Sequence, residues 1–190
     1  MKSKFENLDT SKIMQHNGKA GYTAIFGWQD SFGANRDELV AFGYIESFKN
    51  TADLMVEQNA PDLNLFPVIF NYRQYLELVL KNFYSKQISQ NVYRSDIRVI
   101  GHDLNKLWDK VEPYIANYVN TSGYSAGATD FIKQVVMIFH NIDPNSFNYR
   151  YPTDKRLNQS ITTRNLTIDL WELKESIEAV DEIMFATYGL

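Results

Sequence analysis

Three side chains stand out for what they could do to a phosphate. Arg73 sits at the border of an apolar helical stripe, where a guanidinium can reach into a cleft and hold a phosphate or carboxylate with paired N–H donors. His102 opens a helix in Gly101-His102-Asp103-Leu104, and an imidazole titrates close enough to neutrality to move protons. Arg150 lies in SFNYRYPTDKR, Ser146 to Arg156, where Phe147, Tyr149 and Tyr151 occupy every second position and Lys155 and Arg156 follow. In an extended segment side chains alternate, so the aromatics would face one side and Arg150 the other. Such a segment suits an RNA phosphate or another anion, with Arg150, Lys155 and Arg156 supplying charge and Tyr151 assisting.

Each of these residues also has a purely structural account. Arg73, Glu77 and Lys81 recur every four residues and read equally well as an exposed charge ladder. His102 and Asp103 read as helix-start residues, favoured there by capping and the helix dipole. Arg150 reads as an anchor that bridges to an acid such as Glu77.

Several chemistries are missing from the sequence. The chain has no cysteine, which removes disulfides, thiolate catalysis and every Cys-based metal site. His16, His102 and His140 have no metal-ligand spacing, and no HExxH or Asp-rich calcium loop occurs. No GxxxxGK[ST] or strand-linked GxGxxG loop offers a phosphate cradle, and no GxSxG elbow supports a hydrolase. Neither a metal nor a cofactor is expected.

A length of 190 residues suits one domain with a self-sufficient core. With 12 Tyr, 12 Phe and 3 Trp, large aromatic side chains must supply much of that core. The formal charge of −4 argues against indiscriminate nucleic-acid binding, which usually draws on a basic excess. The charge is nonetheless polarised. From Leu166 to the end, six carboxylates face Lys174 alone, a local −5, whereas residues 147–164 carry +3. No apolar run of spanning length occurs, and the first 20 residues lack a signal-peptide core, so a cytoplasmic protein without a membrane segment is expected.

The elements that must position these residues are helices. Residues 1–34 are polar and read as an N-terminal strap, with a short aromatic section at Tyr22–Trp28; residues 35–190 read as the helical domain. Asn35 is a plausible cap for a first helix that ends near Pro61. Tyr72, Leu76, Val79 and Phe83 share one face of a second helix, with Pro67 in its first turn. Residues 85–101 read as a polar loop. His102 or Asp103 caps a third helix lined by Leu104, Leu107, Trp108, Val111, Ile115 and Tyr118. A fourth, from about Ala128 to Asn141, has two apolar faces and is expected to be the most buried; Asp143-Pro144 ends it. The last begins near Thr167 or Asp169 and carries the seam Leu170, Leu173, Ile177, Val180, Met184. The expectation is an all-α, five-helix bundle with an irregular N-terminal segment.

The order of motifs along this bundle resembles the HEPN superfamily of helical domains. The resemblance rests on Asn71–Lys81, then Gly101-His102-Asp103-Leu104 with Leu107, then Asp143-Pro144, Tyr149-Arg150-Tyr151-Pro152 and Asp154, followed by an amphipathic terminal helix. It covers about Phe66 to Lys155. It implies a bundle that is commonly a homodimer and works on RNA or nucleotides in toxin–antitoxin, antiphage or RNA-processing systems. Active relatives are metal-independent ribonucleases with an arginine, four to six residues and then a histidine. Here three residues separate Arg98 from His102 and seven separate Arg94 from it, and no histidine follows Arg150, so that signature is absent. The resemblance therefore favours a binding or regulatory domain with ligand contacts at Arg73, His102, Arg150, Tyr151, Lys155 and Arg156. If the chain is an enzyme, it is a metal-independent endoribonuclease drawing on His102, Arg73 and Arg150. A third reading is a non-catalytic module that dimerises or binds a protein partner through its acidic last helix.

Overall fold

Why one helix lies at the centre is visible in its own residues. The computed structural model describes residues 36–144, 146, 149, 150, 153, 156 and 167–187. The expected strap at 1–34 lies outside them, as do Tyr151 and Lys155. Six α-helices are described: α1 Arg36–Glu57, α2 Pro61–Gln87, α3 Gln90–Ile100, α4 Leu104–Thr121, α5 Gly127–Ile142 and α6 Leu170–Met184, the last continued by a 3₁₀ turn Phe185–Thr187. In α2 the stripe Tyr72, Leu76, Val79, Phe83 is joined by Ile69, Leu80 and Tyr84 on its flank, so more than half its circumference is apolar. It accordingly packs against α3, α4, α5 and α6.

The all-helical expectation holds among the described residues, with three corrections. The stretch 85–101 is not a loop, since α3 occupies most of it and makes six helices rather than five. Its signal is thin, because Tyr93, Ile97 and Ile100 form a narrow stripe of which only Ile100 is fully buried. Tyr84 and Lys110 hold the helix from outside, at 2.6 and 3.1 Å from the Asp96 carboxylate. Second, α2 starts at Pro61 rather than near Pro67. Proline suits the first helical position because its missing N–H would be unpaired there anyway. Third, α2 rather than α5 is the most buried helix, with twelve buried residues against five. Of the two apolar faces of α5, that of Ile132, Val136 and Phe139 is wholly buried, whereas the face of Phe131, Val135 and Ile138 is only partly covered, with Ile138 47% exposed.

Two helix starts are built alike. Asp103 precedes α4 and Asp169 precedes α6, and each carboxylate accepts the second and third amides of its helix at 2.9–3.1 Å. Asp103 rather than His102 is therefore the cap of α4. The core seam of α6 is as expected, with Leu170, Leu173, Ile177, Val180 and Met184 all buried. No described helix is long and apolar enough to cross a membrane.

Candidate functional site

The site begins with a charged row that the fold draws inward. Arg73, Leu80 and Tyr84 are spaced by seven and four residues and share one side of α2, so the face that buries Leu80 and Tyr84 takes Arg73 with it. Arg73 is wholly buried and Glu77 nearly so, and the row is not the exposed ladder its spacing also allowed. Such burial is tolerated only when every polar group is paired. The Arg73 guanidinium donates from Nη1 to Glu77 Oε2 at 2.8 Å and from Nε to the Asp143 carbonyl at 2.9 Å. Its remaining terminal nitrogen donates to the His102 carbonyl. One side chain thus fastens the end of α5 and the start of α4 to the middle of α2. Arg73 has each of its three nitrogens engaged in that role and, being wholly buried, presents no donor at the surface.

Glu77 is the hub. Its Oε1 accepts from Lys81 Nζ at 2.6 Å and lies 2.8 Å from His102 Nδ1. Burial works against its charge, but the hydrogen bond and charge of Lys81, the Arg73 hydrogen bond and nearby His102 outweigh it. The Glu77 carboxyl is held below the usual carboxylate range. An ionised carboxylate has no proton to give, so His102 Nδ1 carries the hydrogen and donates. The ring itself is 57% exposed, and Nε2 makes no hydrogen bond among the described residues.

The backbone beneath the ring is held as firmly. Lys81 Nζ also donates to the Gly101 carbonyl at 2.8 Å, so the peptide groups on both sides of His102 are tied to cations of α2. Gly101 has φ +60° and ψ −115°, a conformation that L side chains rarely adopt, and glycine is required for this turn. Asp103 then caps α4, and His140 Nδ1 lies 3.5 Å from its Oδ1, within ion-pair reach but too long for a good hydrogen bond. The result is an imidazole fixed at one nitrogen and open at the other, able to donate to or accept from an approaching group, or to pass a proton.

Arg150, from the segment after α5, lies against a different part of α2. Its guanidinium lies 5.3 Å from the centre of the Phe70 ring and donates to Ser146 Oγ at 3.0 Å, which also accepts from Gln74 at 2.7 Å. It does not bridge to Glu77, whose oxygens are taken by Arg73, Lys81 and His102. Arg150 is exposed, as is Arg156. Tyr149 is half-buried, with its ring 6.1 Å from that of Phe66, a packing role. The fold therefore joins Arg73 to His102 through Glu77 and leaves Arg150 as a separate surface cation nearby in the chain of contacts. Glu77 itself was assigned no functional part from sequence. The signal that could have found it is its place four residues after an arginine on the flank that also carries Leu80 and Tyr84.

Among the described residues, no three His, Asp or Glu side chains gather as a metal-holding group. Compared with known proteins, the chain matches no family model, no curated protein and no solved structure.

Proposed function

We propose that this chain is a HEPN-like helical domain that binds RNA or a nucleotide, with the His102 imidazole at the contact and Arg150 as a supporting cation. The observation that carries the reading is the exposed ring held 2.8 Å from a buried carboxylate that is itself held by Arg73 and Lys81. Starting α4 requires none of this, because Asp103 alone supplies the cap. Burying Arg73 and Glu77, with Lys81 half-buried beside them, to orient one exposed histidine makes sense for a ring that meets a ligand. A preoriented group binds without the entropic cost of ordering it, and Nε2 donates to an anion when the ring is protonated. The resemblance supplies the ligand class and the setting, cytoplasmic toxin–antitoxin or antiphage systems. It also implies a homodimer, which exposed apolar side chains such as Leu63 and Val99 favour.

The same geometry favours one alternative, a metal-independent endoribonuclease. A carboxylate-oriented histidine with a free Nε2 is equipped to take a proton from an attacking hydroxyl. Titrating a labelled single-stranded oligoribonucleotide in EDTA, with intact and cleaved RNA both scored, tests the two together. His102→Ala is expected to weaken binding roughly tenfold, about 1.4 kcal/mol, and Arg150→Ala by a similar factor, with unchanged helical content. RNA retention equal in wild type and both variants contradicts the binding reading. Cleavage by wild type that is lost in His102→Ala moves the assignment to the enzyme.

A further inference from the structure

The helix α1 is long but lightly buried. Of its 22 residues only Ile45, Lys49 and Ala52 are buried, and one of those three is a cation. Its C-terminal end is fastened, since Asn64 of α2 donates to the Met55 carbonyl at 2.8 Å and Lys174 of α6 lies 3.6 Å from Glu57. Its N-terminal half instead borders open space. There Asp37, Glu38, Ala41, Tyr44 and Ile45 form one wall of a cavity of about 490 Å³ whose other walls come from α2 and α3. Between the fastened end and the cavity lies a charged cluster of Glu46, Lys49 and Asp53 with Asp181 of α6 and Tyr72 and Tyr75 of α2. We propose that α1 is a flap gated by the protonation of Glu46, held against the cavity while Glu46 is neutral and opening at its N-terminal half as Glu46 ionises. This goes beyond the ligand reading above and does not rest on it.

The cluster has donors for two carboxylates and contains three. Lys49 Nζ lies 2.9 Å from Asp53 Oδ2 and 3.9 Å from Asp181 Oδ2, so one cation is shared between two aspartates. The phenols of Tyr72 and Tyr75 donate to the other oxygens of the same aspartates at 2.6 and 2.9 Å, which favours their ionised forms. Glu46 is the third carboxyl. Asn50 reaches it, but its Oε1 is buried without a hydrogen-bond partner among the described residues. A carboxylate oxygen in that state costs free energy that a neutral carboxyl largely avoids.

The sign of the gate follows from the groups that face Glu46. Burial and then Asp181 raise its carboxyl above the ordinary range, Lys49 and Asn50 oppose them, and Asp53 adds to the rise. Opening returns the side chain to water, where the ordinary range applies. Raising pH from that range through the closed-state value therefore favours the open form. Ile45, the next residue in the chain and only 1% exposed, is uncovered with it.

Hydrogen exchange of the full 190-residue chain, resolved to single helices and corrected for the intrinsic effect of pH, tests this at about pH 5 and about pH 8. Protection of the amides from Glu38 to Ser47 is expected to fall at least about threefold relative to α4 across that range. In Glu46→Gln the relative fall should disappear. Asp181→Asn, which removes the facing charge but keeps an oxygen for Tyr75, should lessen it too, and decides the matter if Glu46→Gln does not fold. Protection of α1 and α4 that moves in parallel overturns the proposal, because Glu46 then bears only on global unfolding. A relative fall that survives Glu46→Gln overturns it as well, assigning the opening to another group. Neither readout involves RNA, so failure of the flap and failure of the ligand reading are seen separately.

Discussion

At the scale of single residues, the most consequential side chain is Glu77, which no motif singles out. It is the shared partner of Arg73, Lys81 and His102, and its removal leaves Arg73 as a buried cation with one fewer acceptor. Glu77→Gln is therefore expected to destabilise the fold by about 3–5 kcal/mol, the range for breaking one side of a buried pair. Denaturant unfolding at pH 7 measures it. The sign of the pH dependence follows from the direction of the shift. The folded carboxyl titrates below its unfolded value, so its stabilisation is complete above about pH 4.5 and is lost as pH falls through the folded pKa. Wild type should lose stability in that acid window more steeply than Glu77→Gln, and parallel profiles would show that Glu77 is not held as described. His102 and Arg73 were legible in the sequence as candidates, but their division of labour was not. Periodicity places Arg73 at a border between faces, and only the packing of α3, α4 and α5 around α2 turns that border into interior.

At the scale of elements, charge is also sorted between α1, α2 and α6. Lys49 of α1 lies 2.9 Å from Asp53 and 3.9 Å from Asp181 of α6. Tyr72 and Tyr75 of α2 donate their phenols to the same two aspartates at 2.6 and 2.9 Å. Glu46 sits beside this group without a lysine of its own. Burial, then the charge of Asp181, pushes its carboxyl above the usual range, with Lys49 only partly offsetting them. A raised carboxyl pKa means that folding opposes the ionised form, so Glu46 contributes a penalty that grows as pH rises from the unfolded value through the folded one. Glu46→Gln should raise the melting temperature at pH 7 and leave it unchanged near pH 3, where both side chains are neutral. A lower melting temperature at pH 7 would contradict this account of the α1–α6 contact. The helices α4, α5 and α6 were readable from their stripes and caps because each follows a simple period. By contrast, α3 was passed over because Arg94, Ser95, Asp96 and Arg98 make the stretch polar on average, although Tyr93, Ile97 and Ile100 keep the four-and-three spacing of a helical stripe.

At the scale of the whole molecule, the described helices form a scaffold in which α2 carries a buried charged core and displays its consequences at both ends of the row. Arg73 ties α4 and α5 to α2, Glu77 orients His102, and Lys81 passes from Glu77 to the wall of the α1–α2–α3 cavity. The cavity was invisible in the sequence, since Tyr44, Asn82, Lys86 and Tyr93 come from three helices and share no motif. The polarity of the chain was visible, and its acidic last helix keeps that face unsuited to a phosphate backbone. The ligand contact is therefore expected on the side where α4 begins.

The central claim is that His102 meets the ligand through Nε2 while Glu77 holds Nδ1. Nitrogen NMR of the histidine rings, recorded as a short oligoribonucleotide is added, tests it most directly. The account predicts that the Nε2 resonance of His102 moves in a saturable way while its Nδ1 resonance stays near its starting position, and that the coupled response disappears in Glu77→Gln. RNA that binds without moving any His102 resonance would contradict it.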